Sequence, residues 1–386
     1  MSFSLLALVV LVGLLGPLLA VRESWHLPAV VGELLAGLLV GASGLRLLDS
    51  SEPTFTVFAN VGFALVMFVV GSHVPVRDIA VRRTFVRGFL AAALVGILGT
   101  VAGIGLAELF ATGHAALYAV VIASSSAALI LPIVGSLKLG DTAQLIAQVA
   151  IADAICIVAL PLAIDPARAV TTALGACAVI ASAALLFFAL RRLDRSGLRT
   201  RVHHLSERRK FALELRLNLL VLFGLAALAQ FAHVSVLLAG FALGLVMAAI
   251  GEPRRLARQL FGLTEGFFGP LFFVWLGASI SLSELGRNPG MILLGVCLGA
   301  AAILSHLVAR IVGQPLLLAV VASGQLGVPI AAAALGTQLH LLQPGEDAAL
   351  LIGALLTIAA TTVAASARAR RHIRPGGITC GLAITS

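Results

Sequence analysis

The chain has 386 residues, 60% of them hydrophobic and 11% charged, with a formal net charge of +9 and a mean hydropathy of +1.10. A soluble domain carries about 25% charged residues, so this composition excludes a soluble enzyme with a large core and predicts an all-α polytopic membrane protein. The basic excess lies in short loops, which reads as a topology signal and not as a nucleic-acid surface.

A helix needs about 20 apolar residues to cross the hydrocarbon core. Runs of that kind predict about thirteen transmembrane helices, near 3–21, 28–45, 54–72, 86–110, 115–137, 142–164, 169–190, 213–232, 234–250, 260–284, 290–312, 315–339 and 347–366. The first run has no basic n-region and is expected to be retained as a span. With the N-terminus outside, 23 of the 26 Lys and Arg residues fall on the inside, and only Arg46, Arg168 and Arg287 fall outside. The expected orientation is therefore N-out and C-in, in a bacterial inner (plasma) membrane. The polar stretch 191–210 is expected to be a cytosolic loop between two halves. Cys156, Cys177, Cys297 and Cys380 lack any paired spacing, so neither a disulfide framework nor a metal site is expected.

Two spans are interrupted. The fifth carries Ser124, Ser125 and Ser126 halfway down, followed by Pro132. The twelfth carries Gly324, Gln325, Gly327 and Pro329 at a similar depth. Serine competes for backbone hydrogen bonds and proline removes a donor. Non-helical backbone at the midplane survives only where protein or water surrounds it. Interrupted segments in corresponding positions of two halves point to a transporter site.

Between these segments lies Asp153, near the middle of the sixth span. A carboxylate at that depth costs about 2.5–3.5 kcal/mol or more unless something meets it, and such residues commonly handle ions or protons. Proton and cation would compete for it, which couples their flows. The serines, with carbonyls freed at the breaks, would complete a monovalent cation's shell, with Gln325 as a neighbour. Glu33 is expected to hold a helix contact or line the cytosolic mouth. His306 is expected to be a hydrogen-bonded packing residue. Together with Arg310 it lies toward the cytosolic end of the eleventh span, where a pathway or regulatory role is the alternative. Glu108 and Glu265 are expected near span ends. No cofactor, and no metal beyond the transported cation, is expected.

Several stretches carry a resemblance: LPAVVGELLAGLLVGASGL (27–45), FALVMFVVGSHVPVRDI (63–79), SSSAALILPIV (124–134), IAD (151–153), FFVWLGASISLSEL (272–285) and SGQLGVPIAAAALG (323–336). In this order and spacing the chain resembles the monovalent cation:proton antiporters of the branch containing Kef-type potassium efflux systems and NapA-type sodium/proton antiporters. The resemblance implies an NhaA/NapA-like fold with inverted repeats, two broken helices crossing beside Asp153, and a homodimer. It divides the chain into scaffold helices over 1–80, a first core repeat over 81–167, and a linker helix with a basic loop over 168–212. Further scaffold helices over 213–286, a second core repeat over 287–367 and a cytosolic tail over 368–386 complete it. It implies a secondary active transporter, not an enzyme, that exchanges Na⁺ or K⁺ for H⁺ by alternating access. The alternatives are a gated K⁺ efflux channel-like protein and an organic-solute carrier on the same fold. Ala152 stands where relatives carry Asn, Asp or Gln, and the embedded Lys of many members is absent. One carboxylate without that Lys implies electroneutral one-for-one exchange.

Overall fold

The computed structural model describes residues 2–20, 29–74, 79–137, 139–196, 212–232, 234–251, 254–280 and 282–373. The described residues form helices and turns, with no strand among them. In chain order the helices are α1 (Phe3–Gly13), α2 (Leu15–Ala20), α3 (Ala29–Val40), α4 (Pro53–Ser72), α5 (Ile79–Leu109), α6 (Ala115–Ala123) and α7 (Ala127–Ser136). Next come α8 (Ala143–Ile164), α9 (Ala169–Arg195), α10 (Leu213–Phe231), α11 (Val236–Ile250), α12 (Arg254–Leu263) and α13 (Gly269–Ser279). The last five are α14 (Leu282–Arg287), α15 (Gly290–His306), α16 (Leu316–Ala322), α17 (Gly327–Leu339) and α18 (Glu346–Ile373). Among the described residues ten helical segments are long and apolar enough to cross a membrane. Three shorter apolar ones lie at Phe3–Leu19, Ala29–Val40 and Val236–Ile250. Together they match the thirteen predicted spans.

Boundaries differ where the backbone ignores the hydrocarbon limit. α5 begins at Ile79, well before 86, and α18 runs to Ile373, well past 366. Their added turns are rich in arginine, whose long stems let the charge reach water while the helix continues. In the opposite sense α3 stops at Val40, short of 45, because the glycines that follow turn the chain back. Leu45 N donates to Leu39 O and Leu47 N to Val40 O, which satisfies the helix's last carbonyls. The tenth span starts at Arg254 and passes through a π turn over Thr264–Phe268 just before Pro270. Proline has no N–H to give the preceding turn, and the wider turn absorbs that loss. Glu265 therefore lies in the π turn, three turns from the start of this continuous helix.

The helices pack in two sets. In one, α3 lies against α2 and α13, and α4 against α11 and α13. Close approach is bought by missing side chains: a Cβ on Gly240 or Gly244 of α11 would strike the carbonyls of Ala64 and Phe68 in α4. In the second set α5 packs on α6 and α8, and α15 packs on α18, which also covers α16 and α17. Within this second set an order occurs twice: a continuous helix, an interrupted one, a continuous one.

Candidate functional site: the crossing of two broken helices

α6 ends at Ala123, and Ser124 and Ser126 adopt extended backbone before α7 begins. α16 ends at Ala322, and four residues, 323–326, separate it from α17. The two breaks touch directly. Ser126 N donates to Gly324 O at 2.9 Å. Ser125 Oγ donates to Ala322 O at 2.6 Å. Gln325 Nε2 lies 2.7 Å from Val121 O, with Ile122 O and Ser124 O at 3.3 Å each. The amide thus adds a donor to the carbonyls at the open end of α6. Val121 O also accepts from Ser124 N at 3.1 Å and from Ser124 Oγ at 2.8 Å.

Asp153 is fully buried on α8. Its Oδ2 accepts from Ala127 N, the first N–H of α7, at 3.0 Å. A half-helix N-terminus presents free N–H groups and a partial positive charge of about half an elementary unit, so it favours a carboxylate. Oδ1 is buried and has no hydrogen-bond partner among the described residues. An acceptor that is desolvated and unpaired is costly to the fold, by about 1–3 kcal/mol. It is also free to take a proton or a cation.

The predicted residues divide into groups. Asp153, Ser124, Ser125, Ser126, Gly324 and Gln325 come together at the crossing. Gln325 binds backbone carbonyls of α6, so its side chain serves the joint between the breaks. Gly324 is required there, because a Cβ would come within 2.7 Å of Thr361 Oγ1. Gly327 opens α17, with Pro329 in its first turn where a missing N–H costs nothing. Pro132 lies inside α7 and is exposed. Glu33 is 5% exposed on α3 and packs against Gly16 of α2, away from both breaks. His306, wholly buried at the end of α15, reaches the first break with Nε2 3.2 Å from Ser125 Oγ. Arg310 is exposed in the 3₁₀ turn that follows (Leu307–Val312) and makes no hydrogen bond to the crossing.

Other participants escaped the sequence reading. Thr357 Oγ1 accepts from Gln325 N at 3.2 Å, and Thr361 Oγ1 donates to Val321 O at 3.3 Å. Both are wholly buried on α18. Their i, i+4 spacing in an otherwise apolar helix puts them on one face, and that was the available signal. Gln148, also on α8, is wholly buried with neither amide atom bonded among the described residues. Toward one end of the bundle a cavity of about 250 Å³ is lined by Asn60, Asp165, Arg168, Gln230 and Gln338, with Phe63 and Leu335 beside them. There Gln338 Nε2 donates to Asn60 Oδ1 at 2.9 Å, tying α17 to α4. His114, Tyr118 and Gln343 N all bond the buried Glu346 carboxylate, at 2.7, 2.6 and 2.8 Å. This clamp joins the start of α6 to the start of α18. Outside the spans, that hydrogen bond to Glu346 raises His114 above the ordinary histidine range against partial burial.

The chain is similar in sequence and fold to known antiporters. It is 23% identical to the putative Na⁺/H⁺ antiporter YjbQ of Bacillus subtilis, over 97% of this chain and 64% of YjbQ. It is 23% identical to the Na⁺/H⁺-K⁺ antiporter GerN of Bacillus cereus, over 73% of this chain and 72% of GerN. It is 28% identical to the glutathione-regulated potassium-efflux protein KefC of Salmonella typhimurium, over 81% of this chain and 52% of KefC. The chain thus spans between half and two thirds of YjbQ and KefC. The sodium proton antiporter MjNhaP1 of Methanocaldococcus jannaschii shares the fold, with a TM-score of 0.63 at 19% identity, over 94% of this chain and 97% of that one. The family described as "Sodium/hydrogen exchanger, transmembrane" matches residues 6–369. That match takes in both broken helices and all but the ends of the chain, which therefore belongs to the transmembrane sodium/hydrogen exchanger family.

Proposed function

We propose that this protein exchanges a monovalent cation, Na⁺ or K⁺, for H⁺ by alternating access, with Asp153 holding one or the other. The observation that carries this reading is the pair of unlike oxygens on Asp153: Oδ2 fixed by Ala127 N and Oδ1 buried without a partner. A bound cation would draw its remaining ligands from the serines and from carbonyls at the breaks. Because one carboxylate cannot hold both ions, each arrival expels the other, and the two flows are coupled.

In this reading the set built on α5 to α8 and α15 to α18 moves as a core against a scaffold of α1 to α4 and α10 to α13, with α9 as linker. The packing supports such a division: the contacts between the sets are few, and a cleft between α3 and α17–α18 is lined by aliphatic side chains that can slide. The cavity at Asn60 and Gln338, whose lining does not include Asp153, serves as a vestibule. We further propose a homodimer in the bacterial plasma membrane, with the arginine-rich loops cytosolic and the N-terminus outside.

The test is cation uptake into proteoliposomes driven by an imposed pH gradient, with Na⁺, K⁺ and Li⁺ compared in wild type and Asp153→Asn. Uptake by wild type and its loss in the variant support the reading. Equal uptake by both removes its basis.

A further inference from the structure

A groove of about 450 Å³ runs along the bundle where α8, α9 and α11 meet. α8 turns Ala154 and Val158 to it, α9 forms one wall with Ala184 and Phe187, and α11 forms the other from Leu238 to Ala249. Every residue of the lining is apolar. α9 packs on both α8 and α11, while α8 and α11 scarcely touch, so the groove is the space left between those two. Along α11 it covers about 16 Å, at about 1.5 Å per residue. That is about half of a hydrocarbon core about 30 Å thick, the depth of one leaflet. Spread over that length, its volume admits a single hydrocarbon chain. It is too narrow for a helix, which is about 10–12 Å across.

One end of the groove is charged. The lining stripe of α9 recurs every three or four residues and runs on into Arg191 and Arg195. The guanidinium carbon of Arg191 lies 5.9 Å from the centroid of the Phe187 ring, which places it at the mouth of the groove. Arg192 stands in the same last turn, and all three arginines are exposed. Asp194 is the one acidic residue among them and has a contact of its own, so the turn keeps a net positive charge. An apolar slot ended by guanidinium groups matches a ligand with a hydrocarbon chain and an anionic head. A phosphate takes forked hydrogen bonds from such groups, and their stems lie along apolar surface.

We propose that this groove binds one acyl chain of an anionic phospholipid, with the headgroup phosphate held at Arg191 and its neighbours in the last turn of α9. The leaflet is the cytosolic one in the orientation proposed above. A headgroup with net negative charge is favoured over a zwitterionic one, which brings a positive group of its own to the arginines. The seated chain touches α8, α9 and α11 at once. Ala154 of its floor follows Asp153 in the chain, so α8 offers one face to the ion site and another to the lipid. Any displacement of α8 against α11 changes the groove, and a chain lodged there braces one against the other. That consequence rests on the core-and-scaffold reading above; the binding itself does not.

The test is thermal stability of the purified full chain in detergent, because a ligand that binds the folded state raises Tm by mass action. Dioleoyl phosphatidylglycerol is titrated beside dioleoyl phosphatidylcholine, which has the same chains. Tm is expected to rise saturably with the first, and the second is expected to need at least about tenfold more for the same rise. Ala184→Trp fills the groove from its open side, and Arg191→Gln removes the anchor of the headgroup on an exposed turn. Each is expected to need at least about tenfold more phosphatidylglycerol than wild type. Glycerol phosphate, a headgroup without a chain, is expected to give no shift. Equal responses to the two lipids, a shift with glycerol phosphate as large as with phosphatidylglycerol, or a variant that responds as wild type does overturns the proposal. Should Ala184→Trp not fold, Arg191→Gln and the comparison of lipids still decide. An Ala184→Trp that turns dimers into monomers with its lipid response unchanged would seat a second copy in the groove, and that also overturns it. No part of the test uses transport, so failure of the antiport reading and failure of this one are told apart.

Discussion

The two breaks look alike in sequence and do different work. The first, at Ser124, Ser125 and Ser126, faces the ionisable groups: Asp153 bonds the start of α7 and His306 meets Ser125. The second, at 323–326, is built to hold the first in place. Gln325 caps α6, Gly324 O receives Ser126 N, and Thr357 and Thr361 secure it to α18. Substitutions in the first region should therefore change ion handling with little change in stability, and those in the second should do the reverse.

The largest expected effect is at Asp153. Asp153→Asn keeps the shape, and its amide oxygen can still accept from Ala127 N, but it cannot exchange a proton for a cation. Exchange in proteoliposomes should fall at least 100-fold while thermal stability in detergent changes by less than about 1 kcal/mol. Next comes Gln325→Leu, which takes away the donor shared by Ile122 O and Ser124 O in a buried site, while Val121 O keeps Ser124 N and Ser124 Oγ. It should destabilise the protein by about 1–3 kcal/mol, read as a lower Tm in detergent; a Tm equal to wild type would erase the contrast between the breaks. Thr361→Val removes one long hydrogen bond and should cost about 1 kcal/mol, with exchange kept.

The smallest effect concerns pH and the clamp at the far end of α6. His114 is held above its ordinary value of about 6.5 by its bond to Glu346. A raised value in the fold means that its contribution is fully present below that ordinary value and is lost as pH rises through the folded one. The side chain is partly solvated, at 22% exposed, so the contribution should be about 1 kcal/mol or less. Thermal stability measured across neutral pH should decline more in wild type than in His114→Gln, and parallel curves would show that the ion pair is not felt.

Much of this was legible in the sequence, because a membrane span leaves a long signature. The thirteen apolar runs, both interruptions and the depth of Asp153 follow from local composition alone. What was not legible is what crosses between distant segments. Gln325 reads as a polar group at depth, yet which acceptor it serves depends on α6 lying 200 residues earlier in the chain. His306 reads as a packing histidine until Ser125, from the other repeat, is brought to its Nε2. The Asn60–Gln338 bond unites two polar residues that each look ordinary at the edge of an apolar run.

The central claim is that one carboxylate at the crossing takes either a proton or a cation. Infrared difference spectroscopy of the purified protein, recorded at mildly acid pH between cation-free and cation-loaded states, tests it most directly. The account predicts that Na⁺ or K⁺ removes a protonated-carboxyl band from wild type and that this change is missing in Asp153→Asn. The same band lost equally in the variant, or none lost in wild type, would contradict it.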